Sequence, residues 1–219
     1  MGNKTEDLKA ALVEVRKAFR LVESYQERML SLVHFIATRL DFHQMEGVKH
    51  FSDPVFFYRG GDHLKVHPNN WAWDFIYPYL LEYYVGDTEL DDGSTIYLSI
   101  IQYSDTGYFD NDNEDQTSPA LFAPAGESGS KLLLFMERKP KRCKELWADY
   151  TYTKQFVMDK RYGSTAHTET VLEPNGPGKN QILLYSVPLE RFADERSSIA
   201  ALREYLAFLS RNGIEIEIV

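Results

Sequence analysis

The chain has 219 residues, 43% hydrophobic, 26% charged and 14% aromatic, with a formal net charge of -9 and a single cysteine, Cys143. At this length about 70% of the unfolded surface can be buried, so the composition describes a domain that folds without disulfides or metal staples. The acidic balance repels phosphate backbones, and one cysteine excludes both an internal disulfide and a cysteine-based zinc cage, which points to a reducing compartment.

The predicted elements begin with a helix over residues 5–41, with Thr5 as N-cap and Glu6 and Asp7 at the positive end of its dipole. Leu8, Leu12, Val15, Phe19, Val22, Met29, Val33, Ile36 and Leu40 recur in steps of four and three, with Gln26 in the one polar slot. This is a heptad seam, and a single polar seam residue is a device for fixing register and partner number. After Tyr25 the stripe widens through Leu30, Leu32, Phe35 and Ala37, so the second half is expected in the core and the first half to project or pair with a second copy. The plainer alternative is a helix packed along its whole length on its own sheet.

Residues 42–70 lack periodicity and read as a long connection with one short strand at Val55 to Tyr58. Trp71 to Tyr77 suggests a helical turn ended by Pro78. Tyr79 to Val85 and Thr95 to Tyr103 read as antiparallel strands joined through Asp91-Asp92-Gly93-Ser94, whose Asp-Gly pair is a hairpin signal. Residues 105–129 read as an acidic surface loop. The apolar runs Lys131 to Glu137 and Ile182 to Val187 suit central strands covered on both faces, with a weaker hairpin, Tyr150 to Met158 and Ala166 to Leu172, between them. Asp194 or Glu195 opens a last helix closed by Asn212-Gly213, and Ile214-Glu-Ile-Glu-Ile-Val219 alternates as an edge strand should. The expected fold is therefore a single α+β domain over 1–219: a mostly antiparallel sheet of about five or six strands, with the long N-terminal helix and a C-terminal helix packed on it.

Several residue patterns bear on chemistry. Glu137 and Lys139 stand two apart at the end of one strand and so point the same way, where a carboxylate holding Mg²⁺ beside an amine suits phosphodiester hydrolysis. Asp105 and Asp110, after the preceding strand, are the candidate second carboxylates, and Lys141, Arg142 and Lys144 a basic run able to grip a backbone. This Asp…Glu-x-Lys pattern resembles, at motif level, that of the restriction-endonuclease-like nucleases, and the order helix, strands, helix, strand over about residues 5 to 190 is similar to their core. The resemblance implies a Mg²⁺-dependent nuclease. Without a ligand the same residues are a strand surfacing into water.

His63 and His67, at i and i+4, are weak zinc candidates, because the segment reads as loop and lacks the Glu of a metalloprotease pattern. The run Asp110 to Asp115 lacks the glycine and closing Glu of a calcium loop. Ten aromatic residues from Phe56 to Tyr84, among them Trp71, Trp73 and Tyr77, form either core or a binding groove. The first residues hold no apolar run of signal-peptide length, so the cytoplasm is the expected compartment. Together these features favour a non-enzymatic cytoplasmic interaction protein that forms a homodimer through the Leu8 to Leu40 seam, or binds another protein, and presents its aromatic surface to a partner. It is expected to need no cofactor and to touch no membrane. The alternative is the Mg²⁺-dependent nuclease, the one reading with a nucleic-acid partner.

Overall fold

A computed structural model describes residues 4–51, 72–110, 118–139, 157, 169–173 and 180–219. The chain opens with helix α1, Lys4–Arg39, whose 36 residues extend about 54 Å at 1.5 Å per residue. Strand β1, Glu46–Lys49, follows, then two 3₁₀ turns, Ala72–Phe75 and Tyr77–Tyr79, and the strands β2, Leu80–Glu89, β3, Thr95–Tyr103, and β4, Lys131–Lys139. Strand β5, Glu169–Glu173, and β6, Asn180–Pro188, lead through a short 3₁₀ turn into helix α2, Glu195–Arg211. The six strands form one antiparallel sheet in the order β1-β2-β3-β4-β6-β5, the expected α+β arrangement.

Because side chains alternate across a strand, the sheet sorts its apolar residues into two layers. Leu98, Ile100, Leu132, Leu134, Met136 and Leu183 face α2 and the second half of α1, where Met29, Val33, Ile36, Leu202, Tyr205 and Leu209 complete one core. Ile101, Tyr103, Leu133, Phe135, Ile182 and Leu184 face the other way and pack with Phe51, Tyr79, Phe109 and Val157. This is why β4 and β6 read as continuous apolar runs: both of their faces are buried.

Local chemistry sets the boundaries. The chain turns from β2 into β3 through Asp91-Asp92-Gly93, with Gly93 at φ 78° and its N–H donating to Leu90 O at 2.7 Å. Asp194 caps α2 with its carboxylate accepting from Ser197 N at 2.8 Å, in a reciprocal capping box. Gly213, at φ 77°, ends the helix. The register shifts by a bulge between Tyr84 and Gly86, where Gly86 takes φ 128°, a conformation that residues with a side chain rarely adopt.

Three local expectations differ. Ile214 to Val219 is not a strand; it lies along the end of α1, with Val219 N donating to Arg39 O at 3.1 Å and Ile214, Ile216 and Ile218 packing into the core. Its alternation reflects one buried side, which an extended tail against a helix supplies as well as a sheet does. Strand β1 was hidden in the aperiodic stretch after residue 42, because Glu-Gly-Val-Lys holds one apolar residue and becomes a strand only through pairing with β2. Pro78 does not end the turn before β2 but sits inside the second 3₁₀ turn. The alternative of a helix packed along its whole length on the sheet is not what forms, for Lys4 to Ser24 are exposed. Among the other expected elements, Val55 to Tyr58 lies outside the described residues, as does Tyr150 to Met158 apart from Val157, whereas the expected second arm of that hairpin appears in part as β5.

Candidate functional site

Every residue of α1 from Lys4 to Ser24 is exposed, while Met29, Val33, Ile36, Ala37 and Leu40 are buried. The projecting half still carries its stripe: Leu8 is 59% exposed, Val15 46% and Phe19 73%, with Leu12 and Val22 beside them. These 21 residues are exposed, whereas helices in proteins draw most of their stability from packing an apolar face. Two exposed ion pairs, Glu6 with Lys9 and Glu14 with Lys17, each at 2.8 Å, add only a few tenths of a kcal/mol apiece.

The point where α1 leaves the sheet is fixed by a polar network. Gln26 Nε2 donates to the Tyr83 hydroxyl at 2.5 Å, and that hydroxyl donates to Gln102 Oε1 at 2.7 Å. The Gln102 amide in turn donates to Gln26 Oε1 at 3.2 Å, to Pro78 O at 3.1 Å and to Ser104 Oγ at 2.9 Å. Gln26, half-buried, is thus the clamp that holds α1 to its own sheet, and the exposed arm comprises residues 4–24 before it.

A cleft of about 690 Å³ opens at this base, between Tyr25, Arg28 and Met29 of α1 and the loops at Ser104, Ser130 and Phe192.

Glu137 and Lys139 do point the same way, and their charged ends meet at 3.5 Å, both buried, with the Lys139 amine 5.1 Å above the Tyr97 ring. Burial, then the charges of Asp87 and Glu137, push the Tyr97 phenol up. Arg138 points to the opposite face, where it pairs with Asp92 and donates to Ser94 Oγ at 2.9 Å and to Gly213 O at 3.2 Å, tying the hairpin to the end of α2. The two Ser94 hydrogen bonds, with Arg138 behind them, hold the Asp92 carboxyl down at about 2.

Asp105 and Asp110 are not brought to this pair. In the β3–β4 ladder Tyr97 stands opposite Glu137 and Tyr103 opposite Lys131, so the chain after Tyr103 is six strand residues, about 20 Å, from Glu137. Asp105 instead accepts from Gly107 N at 2.7 Å, and Asp110 accepts from the Thr106 hydroxyl. The Asp…Glu-x-Lys constellation is not assembled, for a reason of topology: in an antiparallel pair, the residues leaving one strand lie beside the start of the next, not its end. Asp110 lies closer in effect to Lys131, whose ammonium is pushed down to about 8 by burial against the pull of that carboxylate.

A polar cluster that the sequence patterns did not single out lies under the β1–β2 edge. Glu82, in the middle of the apolar run of β2, accepts from Ser99 Oγ at 2.6 Å and stands 2.6 Å from His50 Nε2, all three buried. The carboxylate occupies the centre and receives both partners, so the hydroxyl is aimed at Glu82 rather than at the imidazole. That order does not activate a serine. A charged residue inside an otherwise apolar strand was the available signal.

Among the described residues of the aromatic stretch, Phe51, Tyr79, Tyr83 and Tyr84 are buried. Phe51 lies 5.0 Å from Trp73 and 4.4 Å from Tyr79, and Trp73 stacks on Phe122 at 5.8 Å. The exposed apolar residues here are Phe75 and Ile76, each about half exposed. Trp71, His63, His67, Lys141, Arg142 and Lys144 lie outside the described residues, as does the side chain of Tyr77. Among the described residues no three His, Cys, Asp or Glu side chains gather as metal ligands, and no helix is long and apolar enough to cross a membrane.

Residues 5–213 match the model of one protein family, designated PM0109. No curated protein and no solved structure matches the chain.

Proposed function

This chain belongs to the PM0109 family, and we propose that it is an interaction protein of the cytoplasm rather than an enzyme, self-associating through the projecting half of α1. The observation that carries this reading is the exposed stripe Leu8, Leu12, Val15, Phe19 and Val22, continuous with the buried stripe that holds the same helix to the sheet. A soluble domain rarely displays such a row unless it is covered by a partner. Positions written a and d of the heptad are joined by Ala11 and Ala18 at g, so the stripe has the width used between helices that pack in pairs or bundles. Phe75 and Ile76 offer a second, smaller apolar patch for another protein. The cytoplasmic part of the proposal rests on the lone cysteine.

The test is amide hydrogen exchange along α1 at two protein concentrations. Protection of residues 8–22 is expected to rise with concentration in the natural chain and to stay low in Val15→Asp, which places a charge in the stripe. Exchange in the arm that ignores both concentration and the substitution overturns the proposal.

A further inference from the structure

We infer that the occupant of the exposed stripe is the same arm of a second copy, lying antiparallel, with Leu8 of one chain opposite Gln26 of the other and Leu12 opposite Val22. This inference rests on the self-association proposed above and adds its direction and register.

The first argument is steric. Up to Ser24 the seam of α1 is open, at Gln26 it is half-covered through the Gln26–Tyr83–Gln102 network, and at Met29 and Val33 it is buried against the chain's own sheet. In a parallel pair the partner's helix continues along that seam into the space the sheet occupies. In the antiparallel pair only the partner's first turns pass Ser24, alongside Tyr25 to Leu30, of which all but Met29 keep some exposure, and the rest of each arm lies on open seam. Lys4 to Asp7 of one copy then end beside the cleft that Tyr25, Arg28 and Met29 line in the other.

The second argument is electrostatic. Flanking positions set helix orientation. In the parallel arrangement position g of one helix meets position e of the next heptad on both flanks: Ala11 meets Arg16, Ala18 meets Glu23, and Lys4 meets Lys9, which gives no attraction and two repulsions. In the antiparallel register stated here, e meets e and g meets g. Lys9 then faces Glu23 at both ends, Ala18 faces Ala18 and allows close approach at the centre, and Arg16 facing Arg16 is the one unfavourable contact. Shifting the antiparallel register one heptad toward the helix tips replaces Lys9–Glu23 by Lys9–Arg16, and shifting it the other way drives Leu8 into the buried Val33.

The third argument concerns the bodies. Residues 4–24 hold five cations and four anions, so the rest of the chain carries one negative charge more than the total of -9. Antiparallel arms separate these two acidic bodies by the arm length, about 30 Å, well beyond the screening length of about 8 Å at physiological salt. Parallel arms would press them together.

The experiment is oxidative cross-linking of the full chain with Cys143→Ser, adding Leu12→Cys, Val22→Cys or both, with the mass in solution measured alongside. The two introduced cysteines sit on exposed positions of the arm. Within one helix the two sites are ten residues, about 15 Å, apart, beyond the reach of a disulfide, so any bond joins two copies. The expected result is a two-copy species that becomes covalent in the double variant and in neither single variant. A bond in either single variant means parallel arms and overturns this inference while leaving self-association standing. A two-copy mass without any bond also overturns the register alone. A one-copy mass throughout overturns the self-association itself.

Discussion

Replacing Gln102 by leucine should loosen the anchor of α1 by an amount that can be worked from its contacts. Gln102 is fully buried and serves four partners. Pro78 O keeps its bond from Ser104 Oγ at 2.6 Å, and Gln26, half-buried, can turn to water. The loss that remains is the acceptor for the Tyr83 hydroxyl, held in a site where Tyr83 is 3% exposed. Stranding a buried donor costs about 1–3 kcal/mol, and the added apolar surface of leucine returns a fraction of that. Gln102→Leu should therefore lower the unfolding free energy by about 2 kcal/mol, read from urea denaturation with an unchanged slope. Adding Tyr83→Phe removes the stranded hydroxyl, so the double variant should be more stable than Gln102→Leu alone. A double variant less stable than either single one would refute the assignment of this network as a satisfied clamp.

Glu82→Ala should be among the most damaging single changes in the chain, at about 3 kcal/mol or more, because it leaves His50 and Ser99 facing an empty buried site; a thermal melt within a degree or two of the natural chain would contradict it. Lys131 is charged in the unfolded chain up to about pH 10.5 but in the folded chain only to about 8, so the unfolded state binds more protons in between and stability should rise with pH across that window. Lys131→Met should flatten the rise, and an unaltered pH profile would show that the amine is not perturbed. Phe19→Ala should weaken self-association by about a hundredfold or more, because burying an aromatic ring contributes about 1.5–3 kcal/mol when complete and each pair of copies loses two rings; sedimentation at several concentrations reads the shift.

The parts of the fold that were legible in the sequence are those whose signal is local. The boundaries of β3 and the hairpin before it follow from an apolar run and an Asp-Gly turn, and α2 from its Asp194 cap and Gly213 stop. What was not legible depends on contacts distant in sequence. β1 exists because β2 offers it an edge, and the tail after Ile214 packs on α1 although its alternation suits a strand equally well. The heptad of α1 records apolar spacing only, and the same spacing serves a helix against a sheet from Met29 onward and a bare surface before Ser24. Gln26 was readable as polar in an apolar stripe, but its partners, Tyr83 and Gln102, lie 57 and 76 residues away. The Glu-x-Lys pair was placed on one strand face as expected, whereas its distance from Asp105 was decided by strand direction, which the spacing of the motif does not encode.

Sedimentation equilibrium of the full chain between about 1 and 100 μM, beside Val15→Asp, is the most direct test of self-association through the arm. The account predicts a mass that climbs to two copies of the 25.4 kDa chain, with the variant held at one. A one-copy mass across the range, identical in both proteins, would contradict it.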